Sequence, residues 1–274
     1  MTLLCKAARG KRRFSPSGTF VLNVAYQERM LTRTLPRLVI FFVATYLISW
    51  YAWILHHFGW SQETGIFPLG PIIAAAVVSA FSGWNGFKSW LSRLFRFRVG
   101  WRWYALVIGL PIAIDAASAF VNLALGAHTV PLDADHSISG LPARFVFIFV
   151  LIGLGEEGGW RGFALPELRT KFGPAVASLI LGALWAVWHL PLFGVEFSLQ
   201  ILPAFLLSLF SATFVITWIA DRAGDTVVLP ALLHTVVNHG GRRTGIPDVQ
   251  GSRCDPAVVD LRRRLGDDSD GSGE

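Results

Sequence analysis

The feature that most constrains this chain is the length of its apolar runs. A helix needs about 20 predominantly apolar residues to cross the hydrocarbon layer of a bilayer. Runs of that order lie at about Leu38–Leu55, Ile66–Trp84, Trp103–Leu125, Pro174–Leu190 and Leu199–Ala220. A further run starts near Ala143 and ends at Glu156-Glu157, and a shorter one covers Val227–His239. Composition agrees: 53% of the 274 residues are hydrophobic and 15% charged, where average globular chains carry about 25% charged residues. The expectation is an all-α fold, a polytopic transmembrane bundle of about seven helices with a polar site within the membrane. A large soluble core is the weaker alternative.

Three divisions follow. Residues 1–37 form a basic N-terminal segment, 38–240 the transmembrane domain, and 241–274 a polar tail rich in Arg and Asp, with the composition of a disordered segment. No signal-peptide layout is visible in the first segment, and Met30 offers a second start. The positive-inside rule puts the N-terminus in the cytoplasm, together with the basic, aromatic stretch at 85–102, the segment Arg161–Lys171 and Arg222. The loops at 56–65, 126–142 and 191–198 are nearly free of Lys and Arg and fall outside. The 85–102 stretch has the Trp and Arg content of an interfacial amphipathic helix. The tail fits less well: either the seventh helix does not cross fully, or the tail lies outside. The net charge of +6 speaks to orientation rather than to nucleic acid, for which there is no motif. Cys5 and Cys254 make neither a metal spacing nor a disulfide framework. The excess of Arg over Lys suits a GC-rich genome and points to the plasma membrane of a bacterium.

Ionisable residues inside spans cost roughly 2.5–3.5 kcal/mol each at mid-helix and are functional candidates by default. Here they are Asp115, Glu156, Glu157, His189 and His234, with Asn238 beside them. Glu157 and Arg161 are four apart, hence on one helix face and able to pair, whereas Glu156 points about 100° away. The bland alternative is a buried pair that locks helix ends. Trp185 and His189 are also four apart, just before Pro191. There the bland alternative is a histidine capping the last carbonyls of its helix. His234 and Asn238 present two polar heads on a third helix, which simple interhelical hydrogen bonds would also explain.

The sequence has no HExxH and no GxSxG motif, so neither a zincin nor a serine hydrolase of the elbow kind is indicated. A glutamate can act as general base on water, a histidine can share that water, and His and Asn can donate to an oxyanion. The same Glu156, His189 and His234 could instead ligate zinc, which would activate the water as a Lewis acid.

The three clusters, EEGGWRG, WAVWHLP and HTVVN, resemble in order the motifs of the CPBP family of intramembrane proteases, the group of CAAX prenyl endopeptidases and bacteriocin-processing or immunity proteins. The resemblance covers roughly residues 37–240. It implies that Glu156 is the general base, that His189 helps hold the water, and that His234 and Asn238 form the oxyanion site. Glu157 and Arg161 would position helix and substrate, with Trp185 beside them, and no metal or other cofactor would be required. Trp185 stands where Phe is commoner in the family, and no apolar helix follows Asn238, where some members have one more. The partners implied are the bilayer and a membrane-associated or lipidated protein or peptide substrate. The competing reading is a non-catalytic membrane protein, either an immunity or partner-binding scaffold or a proton-relay component using Asp115 and the glutamates.

Overall fold

A computed structural model describes residues 34–126 and 140–240 of the chain. The expectations for residues 1–33, for the loop carrying Asp133 and Asp135, and for the tail from 241 lie outside the described residues.

The described residues form helices and no strand. Helix α1 (Thr34–Ser49) starts with Pro36 in its first turn, where a missing N–H costs nothing. It bends by 59° into α2 (Tyr51–His57). Helix α3 (Gly70–Phe81) is followed by α4 (Trp84–Leu94) and the long α5 (Trp101–Ala124). A winding run then carries α6 (Leu141–Ile148), a π-helical turn (Phe149–Leu154), α7 (Gly155–Gly159), a second π-helical turn (Trp160–Ala164) and α8 (Leu165–Trp188). Helices α9 (Leu202–Ala223) and α10 (Val228–Gly240) complete the bundle.

This is an all-α bundle of an integral membrane protein, as expected. Three helical stretches among the described residues are long and apolar enough to cross: Trp101–Ala124, Leu141–Leu192 and Leu199–Ala223. A fourth results if α1 and α2 count as one bent span. Helix α3 has 12 residues and α10 has 13. At about 1.5 Å per residue both fall short of a hydrocarbon layer of about 30 Å. Proline explains the short α3: Pro71 fixes the first turn, so the apolar residues from Ile66 to Pro68 precede the helix. The run from 141 to 192 is broken where the sequence turned polar. Gly173 has φ +74° and ψ 170°, a conformation that side chains with a Cβ rarely adopt, and Pro174 opens the next helical piece.

Large apolar side chains on the outside of the bundle face outward without partners, among them Ile40, Leu47, Ile114, Phe120, Leu207 and Phe214. In water such a surface would be an association site; around a membrane bundle it meets lipid. The inside is aromatic. Phe41 lies edge-on to Trp160 at 5.7 Å and 5.0 Å from Phe163, which packs α1 against the second π-turn. Tyr46 and Trp50 stack at 4.9 Å and reach the end of α8, donating to the carbonyls of Leu184 and Trp188. A smaller core of Val107, Ile216, Ile219, Leu229 and Leu233 joins α5, α9 and α10.

Candidate active site

The glutamate pair sits on α7, a five-residue α-helical piece between the two π-turns. Such turns are rare and recur at functional sites, because one extra residue per turn re-aims the side chains that follow. Glycine lets the neighbours come close. A Cβ at Gly159 would run into the backbone of Pro71 on α3, and one at Gly153 would come within 2.8 Å of the Ala231 carbonyl on α10. Small residues at such contacts are the usual means of bringing membrane helices together.

Both carboxylates are buried, and so is Arg161. The sequence reading placed Arg161 with a basic cytoplasmic loop. It lies instead inside the bundle, because Glu157 supplies its counter-charge: Arg161 Nη1 donates to Glu157 Oε1 at 2.8 Å. The guanidinium also donates to Thr213 Oγ1 on α9 at 3.3 Å, and it lies over the indole of Trp185 at 4.2 Å from the ring centroid. Glu157 Oε1 has a second partner, His234 Nδ1, at 2.9 Å. Glu157 therefore ties α7 to the second π-turn and to α10.

Glu156 has a different neighbour, as helical spacing predicts. Its Oε2 accepts the indole N–H of Trp185 at 3.1 Å. The ring of Trp185 also meets both histidines edge-on, His189 at 5.5 Å and His234 at 5.6 Å. One indole thus touches Glu156, Arg161, His189 and His234, which lie on three separate stretches of the chain. The sequence singled out Trp185 for its place before His189. It carried no signal that the indole N–H would find Glu156.

His189 ends α8, and its Nδ1 lies 2.8 Å from the Trp185 carbonyl. A carbonyl only accepts, so Nδ1 carries a proton, and the ring when neutral keeps a lone pair at Nε2. The capping contact offered as the bland alternative is therefore present, and it also fixes the tautomer. Trp188 and Phe205 flank the same ring at 4.8 and 5.2 Å.

Asn238, one turn beyond His234, is half-buried and forms no hydrogen bond with the cluster. Asp115 lies part-way along α5, with neither a hydrogen bond nor an ion pair to the glutamates. Among the described residues, no three His, Cys, Asp or Glu side chains stand together as a metal-ligand set. Glu156, His189 and His234 surround an indole instead, and Nδ1 of each ring is engaged by a protein oxygen.

The backbone of the glutamate segment is also held from outside. Trp90 on α4 donates its indole N–H to the Gly158 carbonyl at 2.9 Å. Arg93 Nη1 donates to the Gly162 carbonyl at 2.9 Å. Four residues after Gly162 comes Pro166, which has no N–H to offer that carbonyl; the arginine takes its place. The sequence read α4 as interfacial and gave no sign of these contacts.

Comparison with known proteins points to the same part of the chain. A family model described as "Type II CAAX prenyl endopeptidase Rce1-like" matches residues 138–240, the stretch that holds all three clusters. The chain is also similar to "CAAX prenyl protease 2" of Methanococcus maripaludis, with 24% identity over 221 residues, 73% of this chain and 82% of that protein. With the motifs in family order and their members gathered about one side chain, the chain is similar to the CPBP family of intramembrane proteases.

Proposed function

We propose that the protein is an intramembrane endopeptidase in which Glu156 activates water for attack on a peptide bond of a membrane-associated or lipidated substrate. The observation that carries this reading is the meeting of Glu156, His189 and His234 around Trp185.

Glu156 takes a proton from water while the oxygen attacks the scissile carbonyl carbon. Nε2 of His189 accepts the water's other hydrogen and so aligns it. The carbonyl oxygen becomes an oxyanion, toward which Nε2 of His234 and the amide of Asn238 donate. His234 can donate there while its Nδ1 stays on Glu157, when the ring carries both protons. Glu156 then returns its proton to the leaving amine as the intermediate collapses. Glu157, Arg161 and Trp185 hold these groups in place. On this reading the chemistry needs no metal; the alternative is zinc held by Glu156 and by Nε2 of His189 and His234, whose Nδ1 atoms would keep their present partners.

On this reading residues 38–240 are the catalytic unit, with the N-terminus in the cytoplasm and the protein in the plasma membrane of a bacterium. The name of the archaeal relative suggests a CAAX-type substrate, cut near its lipidated C-terminus. The test is co-expression with candidate membrane peptides, prenylated and not, followed by mass spectrometry of the products beside the Glu156→Gln variant. A product that needs Glu156 supports the reading; products identical in both cells contradict it.

A further inference from the structure

Helix α4 has two unlike faces. Trp90 and Leu94 are buried and Phe87, Leu91 and Arg93 half-buried; this side holds the glutamate segment through the Gly158 and Gly162 carbonyls. The helix is also fixed to the start of α10, because Val227 N donates to the Arg93 carbonyl at 3.0 Å and Thr226 Oγ1 to the Arg96 carbonyl at 2.7 Å. The other side of α4 and the residues that follow it are exposed, and carry Trp84, Lys88, Phe95, Arg98, Trp101 and Arg102.

That exposed side has one sign of charge. No Asp or Glu occurs in the sequence between Glu63 and Asp115. Asp221 and Asp225, at the same end of the bundle, are engaged by Arg169 at 3.0 and 2.9 Å. Lys88 lies over the ring of Trp84 at 5.1 Å. Arg98 and Arg102 have no hydrogen bond or ion pair among the described residues. Cations interleaved with exposed aromatic rings, on a helix at the polar end of a membrane bundle, match the headgroup layer: the rings enter the acyl boundary and the cations meet phosphate.

We propose that the exposed face formed by α4 and the segment running from it to Arg102 is a docking surface for anionic phospholipid headgroups, and that seating α4 on them steadies the glutamate segment through Trp90 and Arg93. The device links the charge of the surrounding leaflet to the order of residues 156–164.

The test reads lipid retention and backbone order, so it stands apart from the peptidase reading. Full-length protein is titrated with POPG or POPC and examined by native mass spectrometry, as wild type, as Lys88→Gln/Arg98→Gln/Arg102→Gln, and as the charge-keeping Lys88→Arg/Arg98→Lys/Arg102→Lys. Wild type and the charge-keeping variant should retain POPG over POPC, and the neutral variant should lose the preference by up to about fivefold per cation. Equal POPC retention and an unchanged thermal midpoint show that the neutral variant is folded. In nanodiscs, amide exchange over 156–164 should be slower with POPG present than in POPC alone, and that difference should vanish in the neutral variant. An undiminished POPG preference in the neutral variant, or none in wild type, overturns the surface. POPG binding that leaves exchange over 156–164 unchanged overturns the coupling to the site.

Discussion

The indole N–H of Trp185 donates to Glu156 Oε2 at 3.1 Å, while the Glu157 carboxylate next in sequence is claimed by Arg161 and His234. Two adjacent glutamates therefore occupy unlike surroundings. One anchors three helical segments; the other has a single directional contact and retains an oxygen for chemistry.

Trp185→Phe keeps an aromatic ring beside both histidines and removes the donor to Glu156. Hydrogen bonds to charged groups contribute about 1.5–3 kcal/mol to stability, so the thermal midpoint should fall modestly, and cleavage should fall about tenfold or more if the contact positions Glu156. Trp185→Ala also removes the face that supports Arg161, and truncating a buried Trp costs roughly 3–5 kcal/mol. Kinetics and thermal unfolding of both variants in detergent separate the two contributions. Unchanged cleavage by the Phe variant would show that the indole contact plays no part in the reaction.

Glu157→Gln leaves Arg161 buried without its counter-charge. Breaking a buried pair by removing one partner costs roughly 3–5 kcal/mol. The thermal midpoint should drop well below that of wild type, and further than in Glu156→Gln. Equal midpoints for the two variants would mean that Glu157 is not the structural member.

Gly159→Ala tests the close approach of α3 and α7. Its Cβ has no room against the Pro71 backbone, and overpacking of this kind typically costs about 1–3 kcal/mol. The variant should lose stability and activity together. A wild-type midpoint would show that α3 can shift without consequence for the glutamates.

Much of this site was legible in the sequence, for a simple physical reason. Charge is so costly inside a membrane that each ionisable residue in an apolar run stands out, and Glu156, Glu157, His189 and His234 were all marked that way. The pairing of Glu157 with Arg161 followed from a spacing of four. What stayed hidden depended on how separate helices meet. Nothing in WAVWHLP says that Trp185 turns its N–H to α7, and nothing in the 85–102 stretch says that Arg93 reaches the Gly162 carbonyl. Arg161 was misplaced because a lone arginine after an apolar run reads as the start of a loop until its partner is seen to be buried with it. The short α3 reflects local backbone chemistry at Pro71 that a count of apolar residues overlooks. Asn238 remains a member of the set on motif grounds, as the structure gives it no contact with the cluster.

Metal removal bears on the chemistry directly. If Glu156 and the histidines activate the water without a metal, cleavage should survive dialysis against a strong zinc chelator. Activity that disappears on chelation and returns with added zinc would assign water activation to the metal.

The central claim is that Glu156 activates the water. Cleavage of a substrate peptide by purified protein in nanodiscs, wild type beside Glu156→Gln, tests it most directly. General-base catalysis contributes about 10²–10⁴-fold, so the variant should lose at least about a hundredfold in kcat while its thermal midpoint stays near wild type. Full activity in a folded Glu156→Gln protein would contradict the account.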